Sequence, residues 1–330
     1  MKRIVTLDDF VETYTKLRQR GLGFILSKFT FSDTERAKTA FNHFNISSSN
    51  WSIIPQIKLR WQKIITSNEE MAIEDFTVHK FLKNRKGLKM LSLGSGNCAS
   101  EIAFAKHPNF ELILCTDIAE KRLKTGKKNA KSAGLKNIDF KIQDVNDLRL
   151  ENDTYDIVYF KASLHHFKNV EKLVSKTLMQ ILKPNGLLII NEYVGPSRLQ
   201  FPKHQIKAIN KALKLIPKPY RKRYKLNIYK NKVYGPGWLR MILADPSECI
   251  DSENIMPSIH QNYNTVYEAS YGGNILQLAL KDIAHHFIDL NKEKKEVLDG
   301  LFYFEDTYLK NHKSDFIFGI YEPKTKQLTK

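Results

Sequence analysis

The chain has 330 residues, 42% of them apolar and 27% charged, which suits one large globular domain with additions or two small ones. No run approaches the roughly 20 apolar residues of a membrane-spanning helix. Three scattered cysteines (Cys98, Cys115 and Cys249) without a CxxC pair argue against a disulfide framework or a structural zinc site.

The opening Met-Lys-Arg runs into Asp8, Asp9 and Glu12 rather than an apolar signal core, so a cytoplasmic protein is expected. The net charge of +18 is unevenly placed. Between Tyr193 and Ala244 there is no Asp or Glu, while thirteen Lys and Arg fall there. The excess is therefore a property of one segment.

Residues 1–85 read as a helical lead-in. Thr6-Leu7-Asp8-Asp9 has the form of a capping box, with Phe10, Tyr14 and Leu17 following at helical spacing. Ser47-Ser48-Ser49-Asn50 breaks the pattern before a second helical stretch with Ile57, Trp61, Ile64 and Ile65. From residue 89 strands and helices alternate, which predicts a parallel sheet with crossover helices. The predicted strands are 89–93, 111–116, 138–142, 155–160 and 186–192. A helix over 169–182 carries Val170, Leu173, Val174, Leu178 and Ile181 on one stripe, and Lys183-Pro184-Asn185-Gly186 ends it. Beyond residue 193 the spacing predicts a basic amphipathic helix at 203–216, strands at 264–270 and 315–321, and a helix within 274–289.

The most informative stretch is Lys89-Met90-Leu91-Ser92-Leu93-Gly94-Ser95-Gly96-Asn97-Cys98-Ala99. An apolar strand stops at Gly-x-Gly and a helix follows at once, the geometry that holds an adenosine-containing cofactor in an open α/β sheet. Asp117 ends the next strand, where a carboxylate accepts from both hydroxyls of a ribose. Asp144 and Val145 end the third strand, suited to an adenine amino group and ring. The turn also fits the GxGxxA pattern of a hydride-transfer enzyme, so an NAD-linked oxidoreductase is a competing reading. A strand-end cap is the plain structural alternative for each aspartate.

After the fourth strand comes Lys161-Ala162-Ser163-Leu164-His165-His166-Phe167, and after the fifth Asn191-Glu192-Tyr193. The order of these parts resembles the class I S-adenosylmethionine-dependent methyltransferases over residues 88–195. The resemblance implies an α/β Rossmann-like fold: a mixed seven-stranded sheet with helices on both faces, a helical cap at 1–85, a cofactor-binding core at 86–196, an inserted basic lid at 197–260, and a C-terminal part at 261–330 with an antiparallel closing strand. It implies S-adenosyl-L-methionine as cofactor and Leu93, Gly94, Ser95, Gly96, Asp117, Ile118, Asp144, Val145 and Lys161 as its binding residues. Two positions depart from the family pattern. Ser92 stands where an acidic residue is common, and Cys98 where a third glycine is; Glu101, one helical turn on, is the candidate for the displaced carboxylate.

Ile54-Pro55, Arg60-Trp61, Asn191–Arg198 and Tyr271-Gly272-Gly273 are similar to a bacterial group that modifies surface saccharides or natural products. This implies a small-molecule or saccharide acceptor, anionic or lipid-linked, contacted by Glu192, Tyr193 and Tyr271. Methyl transfer needs positioning above all, and a base only when the acceptor is protonated. His166, His165 and Glu192 are the candidates for that role, with histidines that cap and pack the turn and a hydrogen-bonded structural Glu as the alternatives.

The turn after the fourth strand lacks the Asn/Asp-Pro-Pro-aromatic motif of base-amine methylation, and no cysteine nucleophile lies there. RNA is thus the second-ranked acceptor, reached through the basic segment, which also leaves peripheral membrane contact open. The segment suits a solvated lid helix as well. A non-catalytic binding protein that keeps the fold is the remaining alternative, and no metal site is expected.

Overall fold

Alternating apolar strands and amphipathic helices assemble into one seven-stranded sheet in the computed structural model, which describes residues 2–20, 49–144 and 152–324. Val145 lies outside the described residues. The strands are β1 Leu88–Leu93, β2 Phe110–Asp117, β3 Ile138–Ile142, β4 Tyr155–Lys161, β5 Leu182–Tyr193, β6 Tyr263–Gly272 and β7 Phe316–Pro323. The helices are α1 Leu7–Arg20, α2 Pro55–Thr66, α3 Ile73–Thr77, α4 Ala99–Ala105, α5 Glu120–Ser132, α6 opening at Val170–Lys172, α7 Lys203–Lys214, α8 Trp238–Ala244, α9 Ile255–Asn262, α10 Leu276–Leu280 and α11 Lys292–Leu309.

Strand order is β3-β2-β1-β4-β5-β7-β6, the mixed Rossmann-like sheet that the family resemblance implies. β1 runs parallel to both β2 and β4, β3 parallel to β2, and β5 parallel to β4. The chain moves outward from β1 to β3, then returns to the other side of β1. Adjacent crossovers therefore diverge between β1 and β4, and a crevice opens beyond their carboxyl ends, where such sheets take their ligands. β7 inserts between β5 and β6, so β6 is the edge strand.

The chain divides into two compact units. One comprises Met71–Val194, Cys249–Ala269 and Ile317–Lys330, and the other Met1–Glu70, Gly195–Glu248 and Ser270–Phe316. In the first, Leu91, Val158, Phe160, Leu188 and Ile190 are fully buried from the strands, against Val174, Leu178, Ile255 and Ile259 from α6 and α9. In the second, Trp51, Ile57, Ile209, Leu213, Leu276 and Leu301 form a separate core. Each such aliphatic side chain contributes about 2 kcal/mol by leaving water.

Three elements differ from the sequence expectation for local reasons. β5 starts at Leu182 because Tyr155 pairs with Leu182 and Ile157 with Leu187, so residues 183–186 bulge out opposite the single residue Asp156. Lys183 Nζ ties that bulge to Asp156 at 2.8 Å. The helix expected over 274–289 is instead α10 and a separate short turn, Ala284–Phe287, because Asp282 takes a left-handed φ of 68° between them. At α1, Asp9 accepts from the Thr6 N–H at 2.7 Å, but the Thr6 hydroxyl turns to the Gly235 carbonyl, leaving half a capping box.

Asp315, just before β7, is 4% exposed and accepts from Gln205 Nε2 at 2.6 Å. Burial pushes its carboxyl up to about 7. The folded state therefore holds a proton that the unfolded chain releases near pH 4, so this contribution is full below about pH 4 and lost as pH rises through about 7. In Asp315→Asn, which keeps the acceptor for Gln205, the loss disappears. The melting temperature of the variant relative to the parent rises between these limits and is then flat, as calorimetry across the range would read.

Candidate active site

The sheet unit brings the glycine turn after β1 against the loop after β4. Gly94 has φ of 74°, and a Cβ there would lie 2.6 Å from the Ser163 Cβ, closer than any side chain tolerates. The Ser163 hydroxyl donates to the Leu93 carbonyl at 2.7 Å, locking turn and loop together. The Gly94 and Ser95 amides both donate to the Thr116 carbonyl at 2.9 Å. Ser95 Oγ accepts from the Thr116 amide at 3.1 Å. Leu93 is wholly buried, whereas Gly94 and Ser95, just past the carboxyl end of β1, are half-buried.

Asp117 closes β2 and is 7% exposed. One carboxylate oxygen accepts from the Gly96 amide and the other from the Ala119 amide, each at 2.7 Å. A carboxylate offers about four acceptor positions, so each oxygen retains capacity for a hydroxyl donor. Ile118 follows, half-buried, and Asp144, also half-buried, stands two residues past β3. The Arg122 guanidinium lies over Gly96, where a Cβ would come within 2.8 Å of it. Arg122 sits on the first turn of α5, and nothing in the Gly-x-Gly pattern singles it out.

Both departures from the family pattern have structural counterparts. Ser92 Oγ donates to Glu101 Oε1 at 2.5 Å, so the carboxyl absent from position 92 reaches the same strand end from α4. Glu101 is 2% exposed, and burial raises its carboxyl above the usual range despite that bond. Cys98 adopts φ of 58° and is fully buried. Its sulfur occupies the space left by Gly126 of α5, where a Cβ would lie 2.8 Å from Sγ. The glycine that gives this turn its room stands on the helix opposite.

Lys161, at the end of β4, donates to Ser100 Oγ at 2.5 Å and to Glu74 Oε1 at 3.1 Å. Burial alone would raise the Glu74 carboxyl, but Lys161 and Ser100 outweigh it and hold the group below its usual value. Tyr159, fully enclosed between Ser100 and these carboxyls, has its phenol pushed well up, by burial first. Glu74 comes from α3, 87 residues from Lys161, and no local spacing could have announced it.

Glu192 is completely buried. Its Oε1 accepts from the Ser163 amide at 2.5 Å and the Leu164 amide at 2.8 Å, while Oε2 meets His165 Nδ1 at 2.7 Å. The carboxyl thus holds the β4 loop in place and has no face toward solvent. His165 is 7% exposed and packs on the half-buried His166, ring centroids 4.2 Å apart. Tyr193 is buried with its ring edge-on to His165 at 6.3 Å. Tyr271 belongs to the other unit, where it packs on Trp61 and Phe316, each at 5.7 Å.

Residues 84–266, more than half of the chain, match the family model described as a methyltransferase domain. An uncharacterized methyltransferase of Bacillus subtilis (strain 168), YcgJ, is 23% identical over 137 residues, or 42% of this chain and 51% of that protein. The chain thus spans about half the length of the curated relative it matches. Among solved structures, a putative sarcosine dimethylglycine methyltransferase from Galdieria sulphuraria is 16% identical, covering 75% of this chain and 84% of its own, with a TM-score of 0.42. Haemonchus contortus phosphoethanolamine N-methyltransferase 2, in complex with S-adenosyl-L-methionine, is 13% identical, covering 91% of this chain and 59% of its own, with a TM-score of 0.45.

The Glu192 geometry has a measurable consequence. Glu192→Ala leaves the Ser163 and Leu164 amides without partners in a dry interior, at about 1–3 kcal/mol each. Denaturant titration should show a loss of about 3 kcal/mol or more, with Glu192→Gln retaining most of the stability. Unchanged stability in the alanine variant would remove the brace.

Proposed function

Starting from a chain that belongs to the methyltransferase-domain family, we propose that it moves a methyl group from S-adenosyl-L-methionine to a small-molecule or saccharide acceptor that carries negative charge. One observation carries the donor assignment. Asp117 stands at the carboxyl end of β2, both oxygens fixed by backbone amides and both with acceptor capacity left, beside a turn whose Gly94 admits no side chain. That is a fit for an adenosyl ribose, since two adjacent hydroxyls need two aligned acceptors at a point of close backbone approach.

When bound, the cofactor supplies an electrophilic methyl on a sulfonium whose leaving group is a neutral thioether. The residues of this chain then have a positioning task. Asp117 receives the ribose hydroxyls, Ile118 packs on the purine, and Asp144 accepts from its amino group, with Val145 assigned to the same end. Gly94 and Ser95 leave the crevice open beside Leu93, Gly96 aims the Asp117 carboxylate through its amide beneath the Arg122 guanidinium, and Lys161 with Glu74 and Glu101 supplies charged and polar groups at the β1 and β4 ends for the amino-acid part.

For an acceptor hydroxyl, His166 is the base, because imidazole has an ordinary pKa near neutrality. Glu192 acts indirectly, by fixing the His165 ring beside it. Support for an anionic acceptor comes from the acid-free stretch Tyr193–Ala244, whose charge attracts anions over long range.

Asp117→Asn keeps the volume and one acceptor but loses the second. Titration calorimetry with S-adenosyl-L-methionine should show affinity reduced about tenfold or more, the equivalent of one hydrogen bond to a charged group. Affinity equal to the parent would withdraw the ribose assignment.

A further inference from the structure

The thirteen basic residues between Tyr193 and Ala244 are not equivalent. Lys230 is 3% exposed, and its Nζ donates to the Leu278 and Lys281 carbonyls. Arg223 is buried against Asp282, and Arg198 donates to the Pro246 carbonyl at 2.6 Å. These cations are structural. Helix α7 is different. It buries Gln205, Ile209, Ala212 and Leu213 in its own unit and turns Lys207, Lys211 and Lys214 outward.

Beside that face lies an open groove of about 400 Å³. Its floor is Ile206 and Val233, and its rim is Lys207, Lys211, Lys214 and Lys232. Asn210 holds the two walls together, donating to the Ile206 and Val233 carbonyls and accepting from the Val233 amide at 2.8 Å. Among the described residues none of the four rim lysines forms an ion pair with a carboxylate. Four ammonium groups around an apolar floor suit an occupant with negative charge outside and hydrocarbon beneath.

We infer that this groove and the α7 face form a docking surface for membranes rich in anionic phospholipid. Lysine stems cover apolar surface while their heads stay in the headgroup layer, and each lysine near an anionic leaflet adds attraction within a Debye length. The same acid-free stretch exposes Leu215, Ile228, Leu239 and Leu243, between 39% and 49% each. Aliphatic tips among lysines are what an interfacial segment carries.

Single-stranded nucleic acid is the less favoured partner for the same groove. It is gripped by open aromatic faces on which bases stack, and Tyr234, the one aromatic lining the groove, has the Lys232 ammonium 4.8 Å over its ring. This inference draws on the same basic stretch as the acceptor reading above but needs no catalysis, so the vesicle test succeeds or fails whatever the acceptor is.

The test is co-sedimentation of the full chain with vesicles of phosphatidylcholine alone and vesicles with about a third phosphatidylglycerol. Binding is expected only with the anionic vesicles and should fall steeply with added salt. Lys207→Glu/Lys211→Glu/Lys214→Glu should reduce it at least about tenfold. Lys127→Glu/Lys128→Glu/Lys131→Glu on α5 changes the net charge equally and should retain most binding. Equal binding to both vesicle types overturns the inference, as does equal loss in both variants. So does groove-dependent binding to an RNA oligonucleotide tighter than to vesicles.

Discussion

The structure of the site depends on one close approach. The turn after β1 and the loop after β4 touch where Gly94 meets Ser163, and the Ser163–Leu93 bond keeps them there. Topology creates that meeting, because β1 and β4 are neighbours whose connections leave in opposite directions. A crevice bounded by two backbone segments cannot collapse unless one of them unfolds. Glu192 guards against this by giving the loop amides partners inside the protein, where an unpaired amide costs far more than a paired one returns.

Around that contact the polar groups form closed sets. Asp117 straps the glycine turn to the start of α5 by way of Gly96 and Ala119. Lys161, Glu74 and Ser100 satisfy one another at the mouth of β4, and Ser92 with Glu101 does so at β1. For the buried Ser92–Glu101 pair, a half-satisfied arrangement would be worse than an apolar one. The two departures from the family pattern show the same economy of shape. A carboxyl and a glycine are each supplied from a neighbouring helix, so the turn keeps its geometry with Ser92 and Cys98 in place.

Net charge is a poor guide to what a basic segment does until burial is known. Arg198, Arg223 and Lys230 hold loops through carbonyls and one carboxylate, whereas the α7 lysines lie in water around an apolar floor. Burial lowers Lys230 to about 7, so even its charge is conditional. No described helix is long and apolar enough to cross a membrane.

Sequence by itself determined the strands, the Gly-x-Gly turn, the ends of β2 and β3 and the amphipathic α7, because strand runs, glycine conformations and helical stripes are local properties with periods of two to four residues. It also pointed to Glu192, with a base, a substrate contact and a hydrogen-bonded structural group all left open. Only the tertiary structure decided that this carboxyl faces inward onto the Ser163–His165 loop, that Glu74 joins Lys161 across 87 residues, and that Gly126 makes room for Cys98. Such pairings depend on which elements the sheet order places side by side. No spacing along the chain records that.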